Sequence, residues 1–254
     1  YTQQMDSYYE AVVNWMDRRH DWKIKKDWII ITPGIVPAIN FIIQTFAKEG
    51  EGVLIQRPVY NPFTNAIVNN GRKLVNSPLV LREGHYEIDF EDFENKIVEE
   101  DVKLFILCSP HNPVGRVWTS EELKTMGDIC LKHKVLVVVD EIHHDLVFKG
   151  LKHIPFASLR KEYSNNCITC TSPSKTFNLA GLQLSNIIIE NQEILTRLNT
   201  YLDNISLTTA NIFGIVGSEA AYNTGEEWLE ELIDYIEGNK KYVQDFFAKK
   251  FHMI

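Results

Sequence analysis

Apolar residues along this chain follow two rhythms. Between residues 4 and 19, Tyr8, Val12, Trp15 and Met16 recur at helical steps with charges between them, which predicts an amphipathic helix packed on a core. Helical spacing returns at 37–47, which opens on Pro37, where a missing N–H costs nothing. It returns again at 89–97, with Asp89 as the cap and Asp92 standing in for the glutamate of a capping box. Residues 120–132 form a further helix with Ser120 as N-cap and acids at 121 and 122. Helices follow at 194–205 and 210–222. The segment 226–251 is long, with Trp228, Leu232, Ile236, Tyr242 and Phe246 on one face and Gly238-Asn239 as an interruption.

The second rhythm is the short unbroken apolar run. Residues 102–108 and 135–139 are continuous enough to be strands buried on both faces. Residues 28–31 and 52–56 are shorter strands, 73–81 is strand-like, and Asn69-Asn70-Gly71 has the composition of a hairpin turn. Apolar segments at 166–170 and 187–189 flank a loop. Strand, helix and strand in short alternating blocks predict an α/β fold with a doubly wound parallel sheet. Such sheets bind ligands beyond the C-terminal ends of their strands.

Candidate chemistry sits at those ends. Residues 171–186 read Thr-Ser-Pro-Ser-Lys-Thr-Phe-Asn-Leu-Ala-Gly-Leu-Gln-Leu-Ser-Asn, and Lys175 has no charged neighbour from 171 to 189. Hydroxyls at 171, 172, 174 and 176 surround it. This is the local chemistry of a Schiff-base lysine, an amine of disfavoured charge beside a seat for an anion. Read alone, the stretch is equally a strand-to-loop turn carrying an incidental lysine. Gly34, Ile35 and Val36 stand at a helix N-terminus, where free N–H groups can hold a phosphate; a plain strand–turn–helix corner has the same pattern. Asn112 follows the strand 102–108, and Asp140 ends the strand 135–139.

The ordered set Asn112, Asp140, Lys175 resembles the fold-type I pyridoxal-phosphate enzymes of the aspartate aminotransferase superfamily. The wording is similar to one branch, the MalY/PatB-like cystathionine beta-lyase or C-S lyase group. The phrases that carry it are Thr-Pro-Gly-Ile-Val-Pro at 32–37, Gln-Arg-Pro-Val-Tyr-Asn-Pro-Phe at 56–63, Ser-Pro-His-Asn-Pro-Val-Gly-Arg at 109–116, Asp-Glu-Ile-His at 140–143 and Ser-Lys-Thr-Phe-Asn-Leu-Ala-Gly-Leu-Gln at 174–183. The resemblance implies an aspartate-aminotransferase-like large domain, with a mostly parallel seven-stranded sheet sandwiched by helices. That domain would span 1–218. Residues 219–254 would be the connector helix and the start of a small C-terminal domain that is mostly absent.

The resemblance also implies pyridoxal 5'-phosphate as cofactor and assigns roles around it. Lys175 would form the Schiff base and move the substrate α-proton, Asp140 would face the ring nitrogen, and Asn112 would bond the phenolic oxygen. Tyr60 would stack on the ring. Ser172 and the backbone of Gly34, Ile35 and Val36 would hold the phosphate, and Tyr1 would reach the phosphate of the other subunit of a homodimer. His143 stands where aminotransferases usually carry a tyrosine, and Gln183 where many carry a phosphate-binding arginine. The implied reaction is β-elimination from L-cystathionine or a related cysteine S-conjugate to thiol, pyruvate and ammonia. An aminotransferase uses the same residues, and a regulatory binding protein could use the same scaffold.

Composition narrows the classes further. Among 254 residues 44% are hydrophobic and 24% charged, as in an ordinary globular protein. The formal net charge of −8 gives a nucleic-acid role no electrostatic support, and no apolar run approaches a membrane span. Four cysteines in a chain this long make no disulfide framework, which fits a cytoplasmic protein. Cys167 and Cys170 read as core residues. His111, His144 and His153 are not spaced with acids or cysteines as metal ligands would be, so no metal is expected. The chain opens on Tyr1 and ends Phe-His-Met-Ile, so both ends look cut, and residues 1–254 alone are expected to turn over weakly or not at all.

Overall fold

The structure is a computed structural model that describes residues 5–207 and 209–251. In chain order the elements are α1 (Asp6–His20), β1 (Ile29–Thr32), α2 (Ile35–Phe46), β2 (Gly52–Ile55), α3 (Pro62–Asn69), β3 (Lys73–Asn76), β4 (Val80–Arg82), β5 (His85–Glu87), α4 (Phe90–Glu99) and β6 (Val102–Cys108). They continue with α5 (Ser120–Lys132), β7 (Leu136–Asp140), α6 (Lys161–Ser164), β8 (Cys167–Thr171), α7 (Pro173–Thr176), β9 (Ser185–Ile188), α8 (Gln192–Asn204), α9 (Ile212–Thr224) and α10 (Glu226–Phe251).

Seven strands form one sheet in the order β1-β9-β8-β7-β6-β2-β3. Neighbours from β3 to β8 pair in parallel. The strand β9 is antiparallel to both β8 and β1, so it alone runs against the rest. The apolar runs are continuous because each strand is covered on both sides. Phe105, Leu107, Val137 and Val139 enter one core with α1, α4 and α5, while Leu104, Ile106 and Val138 enter the other with α2, α3 and α8. Alternate residues of one strand therefore fill opposite layers.

Several boundaries differ from the sequence reading. Asn69-Asn70-Gly71 is the end of α3, a helix the residue pattern did not announce, and Gly71 turns the chain at φ 71° into a parallel strand. The only two-stranded hairpin among the described residues is β4–β5, turned by Glu83 and Gly84, both at positive φ. The strand-like stretch 73–81 is accordingly split between β3 and β4. The cap of α5 is Thr119, which forms a complete capping box with Glu122; Ser120 is already helical. At α4, Asp89 caps the Asp92 N–H as expected, but the Asp92 carboxylate accepts from Ser77 Oγ instead of closing a box. Gly238-Asn239 does not break α10, which is continuous over 26 residues.

Candidate active site

Because the other strands share one direction, their C-terminal ends collect along one edge of the sheet. The antiparallel β9 brings its N-terminal end to that edge. A cavity of about 250 Å³ opens there. Thr32 of β1 leads to Gly34, Ile35 and Val36; β2 leads to Tyr60; β6 to Asn112; β7 ends on Asp140 and leads to His143; β8 leads to Ser172 and Lys175. All of these line the one cavity. The sequence reading grouped them from distant positions; Tyr1 lies outside the described residues. Leu184 and Ser185 also line it. No local signal marked them, because the direction of β9 is not written in its own residues.

Each side chain is held by local structure. Gly34 is the N-cap of α2 at φ 142° and ψ 161°, a conformation reserved for glycine. Its carbonyl accepts from Ala38 N, no side chain caps the helix, and Pro37 has no N–H. The N–H groups of Ile35 and Val36 thus stand free at the positive end of a 12-residue helix. Lys175 sits in the single turn of α7, which starts with Pro173 and is capped by Ser172. Ser172 Oγ accepts from Ser174 N at 3.1 Å and donates to the Leu184 carbonyl at 2.8 Å, so its proton is committed within the protein. Tyr60 is 40% exposed, and Phe63 meets it edge-on.

The charges are set by burial. Asp140 is 4% exposed and accepts one hydrogen bond, from Ile142 N at 3.1 Å. Burial pushes its carboxyl up to about 7, against the pull of that N–H and of the positive charges of His144 and Lys175. It is a carboxylate in want of a cationic partner. Burial also lowers His143, and the positive charges of Lys175 and His144 add to this, so a neutral imidazole faces the cavity at neutral pH.

A second polar cluster lies one residue beyond the lysine. The buried carboxylate of Asp145 meets Thr176, Trp15, His20, His144 and Arg19. His153 Nε2 stands 3.4 Å from Glu141. The sequence reading found no acids spaced against His144 and His153; the fold supplies them. Ligand atoms of His20, His144 and Asp145 fall within 4.8 Å of one another. The contacts are those of hydrogen bonds, 2.8 and 3.0 Å to Asp145, and the Arg19 guanidinium on the same carboxylate opposes a cation.

Burial, with the charge of His144 next, lowers His20 from 6.5 to about 4. The unfolded chain therefore binds more protons between these values. The resulting stability is present above pH 6.5 and lost as the pH falls to about 4, a difference of about 3 kcal/mol. His20→Gln is expected to flatten this part of the pH dependence, as read by urea unfolding at pH 7 and 4.5.

Comparison with known proteins shows the family. The family model for aminotransferase class I and II matches residues 1–254. The chain belongs to this family. Cystathionine beta-lyase PatB of Bacillus subtilis is 45% identical over 94% of this chain and 62% of its own. The crystal structure of a PLP-bound putative aminotransferase from Clostridium difficile superposes with a TM-score of 0.96 at 49% identity, covering 98% of this chain and 64% of that one. Cystalysin from Treponema denticola, whose structure contains pyridoxal 5'-phosphate, gives 0.95 at 42% identity, with 98% and 63% covered. The chain thus spans less than two thirds of the length of these family members.

Proposed function

We propose that the protein is a pyridoxal-phosphate-dependent carbon–sulfur beta-lyase, acting on L-cystathionine or a related cysteine S-conjugate. The observation that carries this reading is the meeting of Lys175, Asp140 and Asn112 in one cavity, in a chain similar in sequence to PatB and in fold to cystalysin. The residues fit the cofactor. The free N–H groups of Ile35 and Val36 suit a phosphate, and the buried Asp140, whose carboxylate lacks a cationic partner, suits a protonated ring nitrogen. The exposed Tyr60 offers an aromatic face. Gly34→Ala is expected to strain the α2 N-terminus by about 1–3 kcal/mol. The added Cβ would meet only Pro37 at ordinary contact distance, so the cost is in the backbone. Faster loss of cofactor on dialysis, with a lowered melting temperature, would check it.

Pyridoxal phosphate, when bound, withdraws electrons from a carbanion at the substrate α-carbon. Lys175 Nζ would hold the cofactor, and its free amine would accept the substrate α-proton. Asp140 would keep the proton on the ring nitrogen, and the Asn112 amide would donate to the phenolic oxygen. Ser172, which caps α7 and meets the Leu184 carbonyl, would help hold the phosphate. Over one cycle the α-proton leaves, the Cβ–S bond breaks with its electron pair on sulfur, and one water converts the remaining three-carbon enamine to pyruvate and ammonia.

The test is incubation of the intact protein with pyridoxal phosphate and L-cystathionine, without any keto acid. Pyruvate and free thiol appearing together support the lyase. Transamination is the second reading, favoured by the similarity to a putative aminotransferase at 49% identity. It predicts turnover only after a keto acid is added. Silence in both assays, with cofactor bound, would favour a regulatory binding protein.

The wider organisation belongs to the same proposal. In this reading the large domain would run past 218, which falls inside α9; the entry of Leu229 and Ile233 of α10 into the core supports this. Beyond them Tyr235 and Tyr242 are 70% and 71% exposed, as suits a connector to a small domain. Phe213, 75% exposed, suits a subunit interface of a homodimer. No helix among the described residues is long and apolar enough to cross a membrane. The four buried, unbridged cysteines suit a reducing cytoplasm.

A further inference from the structure

The carboxylate of Asp145 is buried and does not line the cavity described above. It accepts from Thr176 Oγ1 at 2.7 Å and from Trp15 Nε1 at 3.2 and 3.3 Å. His20 Nε2 stands 2.8 Å away, His144 Nε2 3.0 Å and Arg19 Nε 3.2 Å. Three parts of the chain converge on it: the C-terminal half of α1, the turn after β7, and α7. Although burial opposes ionisation, the charge and hydrogen bond of His144, joined by those of His20, hold the Asp145 carboxyl well below the usual range. It is a fixed negative charge.

The helix α7 has four residues, too few to be stable by itself. Its orientation must come from what it touches. Ser172 caps its start, and Phe177 just past its end packs edge-on to Trp15 at 5.5 Å. Within the turn, Thr176 is fully buried and its hydroxyl is spent on Asp145. Adjacent residues on a helix are about 100° apart, so the rotation of Thr176 about the α7 axis sets the direction of Lys175. Trp15 joins both contacts, through Phe177 and through its own bond to Asp145. Arg19 carries the anchor on to α10, with Glu230 at 2.8 Å and Glu226 at 3.6 Å.

We propose that Asp145 is a positioning residue for Lys175, acting through the hydroxyl of Thr176 to hold the α7 turn against α1. The inference rests on the reading of Lys175 as the cofactor lysine. A well-directed amine matters because a small misplacement of a reacting group slows chemistry far more than it weakens binding.

The experiment uses the intact protein loaded with pyridoxal phosphate. Thr176→Val keeps the side-chain shape and removes only the donor; Thr176→Ser keeps the donor. Asp145→Asn keeps the acceptor and removes the charge. Borohydride reduction and peptide mapping first establish whether the cofactor is carried on Lys175. Thr176→Val is expected to remain labelled there, with kcat on cystathionine lowered about tenfold to a hundredfold and KM within about twofold. The pH midpoint of the cofactor's visible band is expected to move by about half a unit or more. Thr176→Ser should restore both, and Asp145→Asn should move the midpoint if it folds. A labelled Thr176→Val protein with parental kcat and midpoint overturns the positioning role alone. A parent that is not labelled at Lys175 overturns the cofactor reading and this inference with it.

Discussion

Lys175→Ala is expected to abolish the borohydride-reducible attachment of pyridoxal phosphate and to lower β-elimination by about 10⁴-fold, since it removes nucleophile and base together. Among the described residues Lys175 is the only lysine lining the cavity. Its flanks contribute no charge: Ser174 and Thr176 are neutral, and Asp140 and His143, which feel its charge, line the same cavity. The fold should survive, because the Lys175 side chain is exposed while its neighbours Pro173 and Thr176 are buried. Mass spectrometry after reduction checks the result, with circular dichroism as the control for folding. A variant that keeps the reducible yellow band would take Lys175 out of its role.

Asp140→Asn is expected to separate stability from catalysis. Folded Asp140 titrates near 7 because it is buried, against 3.8 for the ordinary group. The folded chain then binds more protons between these values. The associated stability is fully present below pH 3.8 and is lost as pH rises through about 7, by about 4 kcal/mol. Asparagine carries no such cost, so the cofactor-free variant should melt higher than the parent at pH 8. The loaded variant should keep its attachment through Lys175 and lose about 10²–10³-fold in kcat, because no carboxylate remains to hold the ring-nitrogen proton. Equal melting at pH 8 would contradict the burial argument. Unchanged turnover would remove Asp140 from the mechanism.

The chemistry was readable in one dimension to the extent that it sits at strand ends. The runs at 102–108 and 135–139 became β6 and β7, and the residues that stop them, or lie just beyond, line the cavity. Secondary structure was readable where packing and local pattern agree, as in α1 and α8. It failed at α3, where Pro62 at the helix start and Phe63, Ala66 and Ile67 on its buried face were overshadowed by the turn-like Asn-Asn-Gly that ends the helix. It failed again at Gly238, where the helical propensity of the flanking residues carries α10 through a position of weak propensity.

By itself the sequence determined the layered α/β architecture, the lysine, aspartate and asparagine at strand ends, and the glycine that only an α2 N-terminus of this shape requires. These follow from short-range causes: apolar periodicity, caps and backbone freedom. The tertiary structure decided the rest. It reversed β9 so that Leu184 and Ser185 reach the cavity, spent the Ser172 proton on Leu184, and raised Asp140 by burying it. It also gathered Trp15, Arg19 and His20 onto Asp145 from more than a hundred residues away. Burial, strand direction and long-range pairing belong to the packed chain as a whole, and no local stretch of residues encodes them.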